Sequence, residues 1–173
     1  MNMMQTVIEI WNTFEFQALF KLGLGALLTG IIGLERSALN KPAGFGTHAI
    51  LGVSAVLIVL ISEYLTLSYN IDMSRIPSQL LAGIGFIGAG TILRNGLNVK
   101  GVTTASAILA VTCIGLAVGA GFYIGAIVAT IIVYLILSYA HDLSSKIERF
   151  VSMNLQVAIN TSSHESTSKL TNY

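Results

Sequence analysis

Between Lys100 and Asp142 the chain carries no aspartate, glutamate, lysine or arginine. That gap is about 40 residues long and apolar almost throughout, and roughly 20 such residues make one transmembrane helix. A soluble helix needs a polar face, and this stretch has no charge to build one. Its natural solvent is lipid. The whole chain agrees: only 10% of its 173 residues are charged, against about a quarter in soluble domains, too few to cover a water-facing surface.

The uncharged stretch is twice the length of one span, so it must reverse once. Gly119, Ala120 and Gly121 supply the place, because glycine permits a tight turn. Two spans follow, about Val102 to Val118 and Phe122 to Tyr139. Three more apolar segments precede them, at about Phe16 to Leu34, Phe45 to Ile61 and Pro77 to Leu93. The expected fold is all-α and integral to the membrane. It is a five-helix transmembrane bundle over residues 1–140 with a short cytoplasmic tail over 141–173. The opening MNMMQTVIEIWN lacks the basic region and cleavage site of a secretion signal, so the first span is expected to be kept. In the tail, His141 to Phe150 reads as an amphipathic helix and Met153 to Ile159 alternates like a strand. The polar end reads as disordered.

Charge placement predicts orientation. Arg36 and Lys41 fall in the first loop, Arg94 and Lys100 in the third, and Lys146 and Arg149 after the last span. The second loop has Arg75 beside Glu63 and Asp72, and the fourth has no charge. Lys and Arg favour the cytoplasmic side, which puts the N-terminus outside and the C-terminus inside. A formal net charge of +1, with no concentrated basic patch, argues against nucleic acid as a partner. The single cysteine, Cys113, allows neither an internal disulfide nor a cysteine metal cluster, and reads as a small buried hydrophobe.

GIGFIGAG, Gly83 to Gly90, fits the glycine pattern of dinucleotide-binding loops. Such loops need a preceding strand and an acidic residue about 20 positions on. No Asp or Glu occurs between Asp72 and Asp142. Close helix packing is the better reading, through Ala82, Gly83, Gly85, Gly88, Ala89 and Gly90, since small residues let helices approach in lipid. Two small-residue faces predict a central third helix and self-association.

Ionisable residues near the membrane are costly and mark candidate sites. Glu35 and Arg36 close the first span, and His48 opens the second. Lys21 lies within the first span, either reaching outward or paired with a carboxylate. Asp72 and Arg75 precede the third span, where Asp72 or Ser74 can cap the helix and Pro77 suits its first turn. Thr103 and Thr104 bring hydroxyls to the start of the fourth. These residues are the candidates for a ligand or ion path. Glu35 and Asp72, with Glu63 beside the latter, are the weak metal candidates, because magnesium takes oxygen ligands. None of them has the adjacent base that would make a nucleophile, so no catalytic residue and no enzyme activity is expected.

Three ordered segments resemble the membrane domain of the MgtC/SapB family. They are GLERSALNKPAGFGTH at Gly33 to His48, DMSRIPSQLLAGIGFIGAGTIL at Asp72 to Leu93, and GVTTASAILAVTCIGLAVGAGFY at Gly101 to Tyr123. Gly46 stands where the family pattern has arginine, and Ile108 and Leu109 where it has tryptophan. The resemblance implies a bacterial inner-membrane protein tied to survival at low magnesium and to virulence. It implies modulation of other membrane machinery, such as the membrane subunits of the F-type ATP synthase, and the alternative is a transporter or channel for magnesium or another small solute. No cofactor is implied beyond magnesium itself. The partners expected are the lipid bilayer and further copies of the chain.

Overall fold

A computed structural model describes residues 14–96 and 98–139. The tail elements expected over 141–173 lie outside the described residues. Among the described residues, five helices carry the fold. They are α1 (Phe14–Ala38), α2 (Phe45–Tyr69), α3 (Arg75–Gly90), α4 (Val102–Gly119) and α5 (Tyr123–Tyr139). Between α3 and α4 stand two short strands, β1 (Leu93–Asn95) and β2 (Asn98–Lys100). The chain is an all-α membrane bundle. By length and composition α1, α2 and α4 can cross a bilayer; at about 1.5 Å per residue the 25-residue helices exceed its ~30 Å core. The 16 residues of α3 are shorter than a full span. One compact unit runs to Tyr134 and a second starts at Leu135, where the described residues are the continuation of α5.

Local chemistry explains where the helices stop. At the end of α1, Asn40 takes a left-handed φ of 50°, and the Lys41 N–H donates to the Arg36 carbonyl at 2.9 Å while Asn40 N–H donates to Ser37. This paired closure satisfies carbonyls that the helix end would leave bare. The Ser37 hydroxyl then accepts the Phe45 N–H at 2.9 Å and ties the loop to the start of α2. At the end of α4, Gly121 has φ +81°, and the Phe122 N–H reaches the Ala117 carbonyl at 2.9 Å. The break foreseen at Gly119–Gly121 is there.

Packing differs from expectation in one central respect. The middle helix is α2, which packs on both α1 and α4. The third span is not central: only Ile84 and Gly88 of α3 are buried. Gly88 meets Ala105 of α4, with 3.6 Å left for an added Cβ, whereas Gly83, Gly85 and Gly90 have no atom within 4 Å of such a Cβ. Ala82 and Ala89 are exposed as well. The close contacts use single glycines on the other helices. A Cβ on Gly25 would stand 2.6 Å from Val56, and one on Gly119 2.7 Å from Val59. Cys113 is exposed rather than buried, because its neighbours Thr112 and Ile114 occupy the inner face of α4.

Two smaller corrections concern loops. Arg94 and Lys100, expected in a plain loop, belong to an antiparallel hairpin with Arg94 opposite Val99 and Leu93 opposite Lys100. The register, with Asn95 opposite Asn98, leaves a two-residue turn that begins at Gly96, and Gly96 adopts the positive φ, 60°, that the first position of a I′ or II′ turn requires. Glu63, expected in the second loop, lies inside α2.

Candidate functional site

Among the described residues, the buried ionisable side chains Lys21, Arg36 and His48 mark two clusters on the α1–α2 seam. They are separated by 15 positions of α1, about 22 Å at 1.5 Å per residue.

At the first, Lys21 of α1 meets Glu63 of α2. The ammonium Nζ lies 3.4 Å from Glu63 Oε2, with the lysine side chain 8% exposed and the glutamate 35%. Of the two arrangements open to Lys21, the pairing is the one adopted. An ammonium within the span is costly, and a carboxylate one helix away offsets that cost. The adjacent Ser62 hydroxyl is buried without a partner.

At the second cluster, Arg36 is 3% exposed and His48 fully buried. Arg36 Nη2 donates to Thr104 Oγ1 on α4 at 3.3 Å, and its Nε has no acceptor. His48 Nδ1 lies 3.0 Å from the Gly44 carbonyl. A carbonyl only accepts, so Nδ1 holds the hydrogen and Nε2 of the neutral ring presents a lone pair; that Nε2 is buried and unpartnered. Gly33 makes room for the ring: a Cβ there would lie 2.9 Å from His48 Cβ and 2.7 Å from Phe45 Cα. Both Glu35 carboxylate oxygens are buried without a partner. Glu35 and Arg36 form no ion pair, because Lys21–Glu63 is the one such pair among the described residues.

Asp72, in the turn before α3, and Arg75, the first residue of α3, are both exposed and belong to neither cluster. Asp72 Oδ1 accepts the Ser74 N–H and the Ser74 hydroxyl, each at 2.9 Å. Those bonds, the backbone one first, with Arg75 alongside, hold the Asp72 carboxyl below the usual carboxylate range. The Ser74 hydroxyl therefore serves Asp72 rather than the helix end. Of the two carboxylates considered for an external cation site, Glu63 faces Lys21 and Asp72 Oδ1 faces Ser74. Glu35 and Asp72 cannot share a metal: Glu35 precedes α2 and Asp72 follows it, and α2 is about 37 Å long. Among the described residues no three His, Cys, Asp or Glu side chains gather to hold a metal. Thr103 is exposed on the first turn of α4, one residue from the buried Thr104.

Between the clusters the seam is dry. Ile32, Ala55, Val56 and Val111 have no exposed surface. Thr29 and Thr112 are also fully buried, but their hydroxyls bond back to Gly25 and Ile108 of their own helices, at 2.8 and 2.9 Å. Their hydroxyl protons are thereby spent within their own helices. Glu63 is the residue of this arrangement that the sequence reading left in a loop.

Comparison with known proteins gives a consistent family. The model of the MgtC family matches residues 22–146. A protein of Escherichia coli (strain K12) named "Putative magnesium transporter YhiD" is 37% identical over 141 residues, covering 78% of this chain and 65% of that protein. Protein SapB of Bacillus subtilis (strain 168) is 42% identical over 112 residues, 61% of this chain and 48% of its own length. Protein MgtC of Brucella abortus (strain 2308) is 34% identical over 124 residues, covering 72% and 51%. The chain thus spans about half to two thirds of these relatives. No solved structure matches it.

Proposed function

The chain belongs to the MgtC family, and on that premise we propose that it is a bacterial inner-membrane protein of magnesium homeostasis that modulates other membrane machinery, such as the F-type ATP synthase, through its helix faces. One observation carries this reading. The buried charges lie in two clusters with a glycine-closed, apolar seam between them. A single copy therefore offers an ion no continuous polar route, while the outer faces of α3 remain open for contact. Phe86 on that helix is 84% exposed. In this reading magnesium is the ion whose supply the protein serves rather than a resident cofactor, and no side chain acts as a catalyst. The Lys and Arg placement supports a cytoplasmic position for the Arg36 end.

A transporter is the second reading, favoured by the charged side chains buried in the seam and by the printed name of the Escherichia coli relative. Liposomes separate the two. Purified protein under an imposed magnesium gradient is expected to show no flux above empty vesicles, and ATP synthase subunits are expected to co-purify from native membranes. Flux that disappears in Glu35→Gln or Asp72→Asn would end the modulator reading.

The open faces of α3 also support association between copies, since small residues favour close helix approach. Gly85→Leu should leave the single-chain fold intact, because no atom lies within 4 Å of its Cβ. It should shift the particle mass in detergent, measured by light scattering, toward the monomer. An unchanged oligomer mass would remove α3 from the interface.

A further inference from the structure

The start of α4 is an unusual helix end. Gly101 is its N-cap residue, and no side chain caps it. The N–H groups of Val102, Thr103 and Thr104 have no carbonyl one turn back within the helix, and their dipoles sum to a partial positive charge. Val102 and Thr103 are exposed, so this end is approachable. Gly101 has φ +93°, and an added Cβ would strike the Thr91 carbonyl, so no side chain can shield the turn from that position.

Onto this turn reaches a second positive group from another helix. Arg36 Nη2 donates to Thr104 Oγ1 at 3.3 Å, which places the guanidinium at the first turn of α4. Arg36 is 3% exposed, and its Nε–H, also buried, meets no acceptor. Buried N–H groups are nearly always satisfied. Its neighbour Glu35 does not serve it, since the two form no ion pair. Lys100 is exposed at the end of β2, immediately before Gly101. Helix N–H groups, a buried guanidinium with an unspent donor and an exposed lysine thus gather at one end of the bundle, and the one carboxylate beside Arg36, that of Glu35, makes no ion pair with it.

We propose that the first turn of α4 and Arg36 bind a phosphate group, either on a phospholipid head or free in solution. Backbone N–H groups at a helix start suit phosphate oxygens. The planar guanidinium matches them with two parallel donors. The Thr103 hydroxyl adds a donor at the open side. This inference stands apart from the modulator reading, and either can fail without the other.

The test uses the full chain in a maltoside detergent, which brings no phosphate of its own. Thermal unfolding is followed with inorganic phosphate, with short-chain phosphatidylglycerol, and with chloride at equal ionic strength. At least one phosphate source is expected to raise Tm by about 5 °C near saturation, with chloride inert. Thr103→Asp places a carboxylate at the same helix start. It is expected to raise Tm without ligand and to abolish the response, and the exposure of Thr103 lets this variant fold. A response to inorganic phosphate alone assigns a soluble ligand, and a response to the lipid alone assigns a headgroup; both support the site. No response to either, or an equal response in Thr103→Asp, overturns it. A response confined to Glu35→Gln also overturns it, because the chain's own carboxylate would then be the occupant.

Discussion

Gly115→Ala is expected to destabilise the protein by about 1–2 kcal/mol, whereas Gly85→Ala is expected to stabilise it by about 0.5–1 kcal/mol. The same chemical change acts in opposite directions because the two glycines do different work. In both helices alanine removes the propensity penalty of glycine, roughly 1 kcal/mol. Within one copy nothing opposes this gain at Gly85, since no atom lies within 4 Å of the new methyl, so the gain is read on the monomer. At Gly115 the methyl would stand 2.6 Å from the Gly52 carbonyl oxygen, 2.7 Å from Ala55 Cβ and 3.2 Å from Gly52 Cα. Two of those atoms belong to the backbone of α2, so no rotamer change relieves the clash. The helices must move apart. That movement would also loosen the Gly119–Val59 contact one turn along the same pair. Overpacking of this kind costs about 1–3 kcal/mol, which outweighs the propensity gain. Unfolding in mixed detergent micelles measures both variants, and a Gly115→Ala protein as stable as the parent would refute the close α2–α4 crossing.

That contrast marks where sequence reasoning succeeded and where it chose the wrong glycines. The α4–α5 break was legible because an uncharged stretch of twice the span length has to reverse, and Gly121 is where a left-handed residue fits. The peripheral place of the third helix was not legible. GIGFIGAG concentrates glycine, and density was read as packing. The crossings instead use Gly25 on α1, Gly52 on α2, and Gly115 and Gly119 on α4. Nothing in the spacing along a single helix says which helix lies opposite. The hairpin had one local signal, Gly96 at the first position of a two-residue turn, while Arg94 and Lys100 point toward a plain charged loop. The functional candidates divided in the same way. Arg36, His48 and Thr104 each stand out separately, but no local signal says that α1 and α4 bring Arg36 to Thr104.

Glu63→Gln is expected to be the most damaging of the conservative charge changes, and Lys21→Met should largely repair it. The pair was hidden because Glu63 was placed in a loop, although the loop between α1 and α2 predicts it. Folding an antiparallel pair about the midpoint of 38 and 45 carries position 21 to about position 62, next to Glu63. Once paired, the two residues have unequal needs. The Lys21 side chain is 8% exposed and Glu63 is 35% exposed. Removing the carboxylate strands an ammonium inside the bundle, and breaking a fully buried pair costs about 3–5 kcal/mol. Water at Glu63 screens part of this, so a loss of about 1–2 kcal/mol is the fitting expectation. Removing the lysine instead leaves a carboxylate that water can reach, and should cost less. In the double variant no charge remains, and stability should return to within about 0.5 kcal/mol of the parent. The cycle needs only the four stabilities. If Glu63→Gln is neutral, Lys21 reaches out to the membrane edge and the observed 3.4 Å contact is not its resting state. The same four proteins bear on mechanism, because a double variant that keeps its partner contacts has lost the charges at one end of any ion path. Retained contacts with no flux in the parent would fit a protein that works by its helix faces, with the Lys21–Glu63 pair holding α1 to α2.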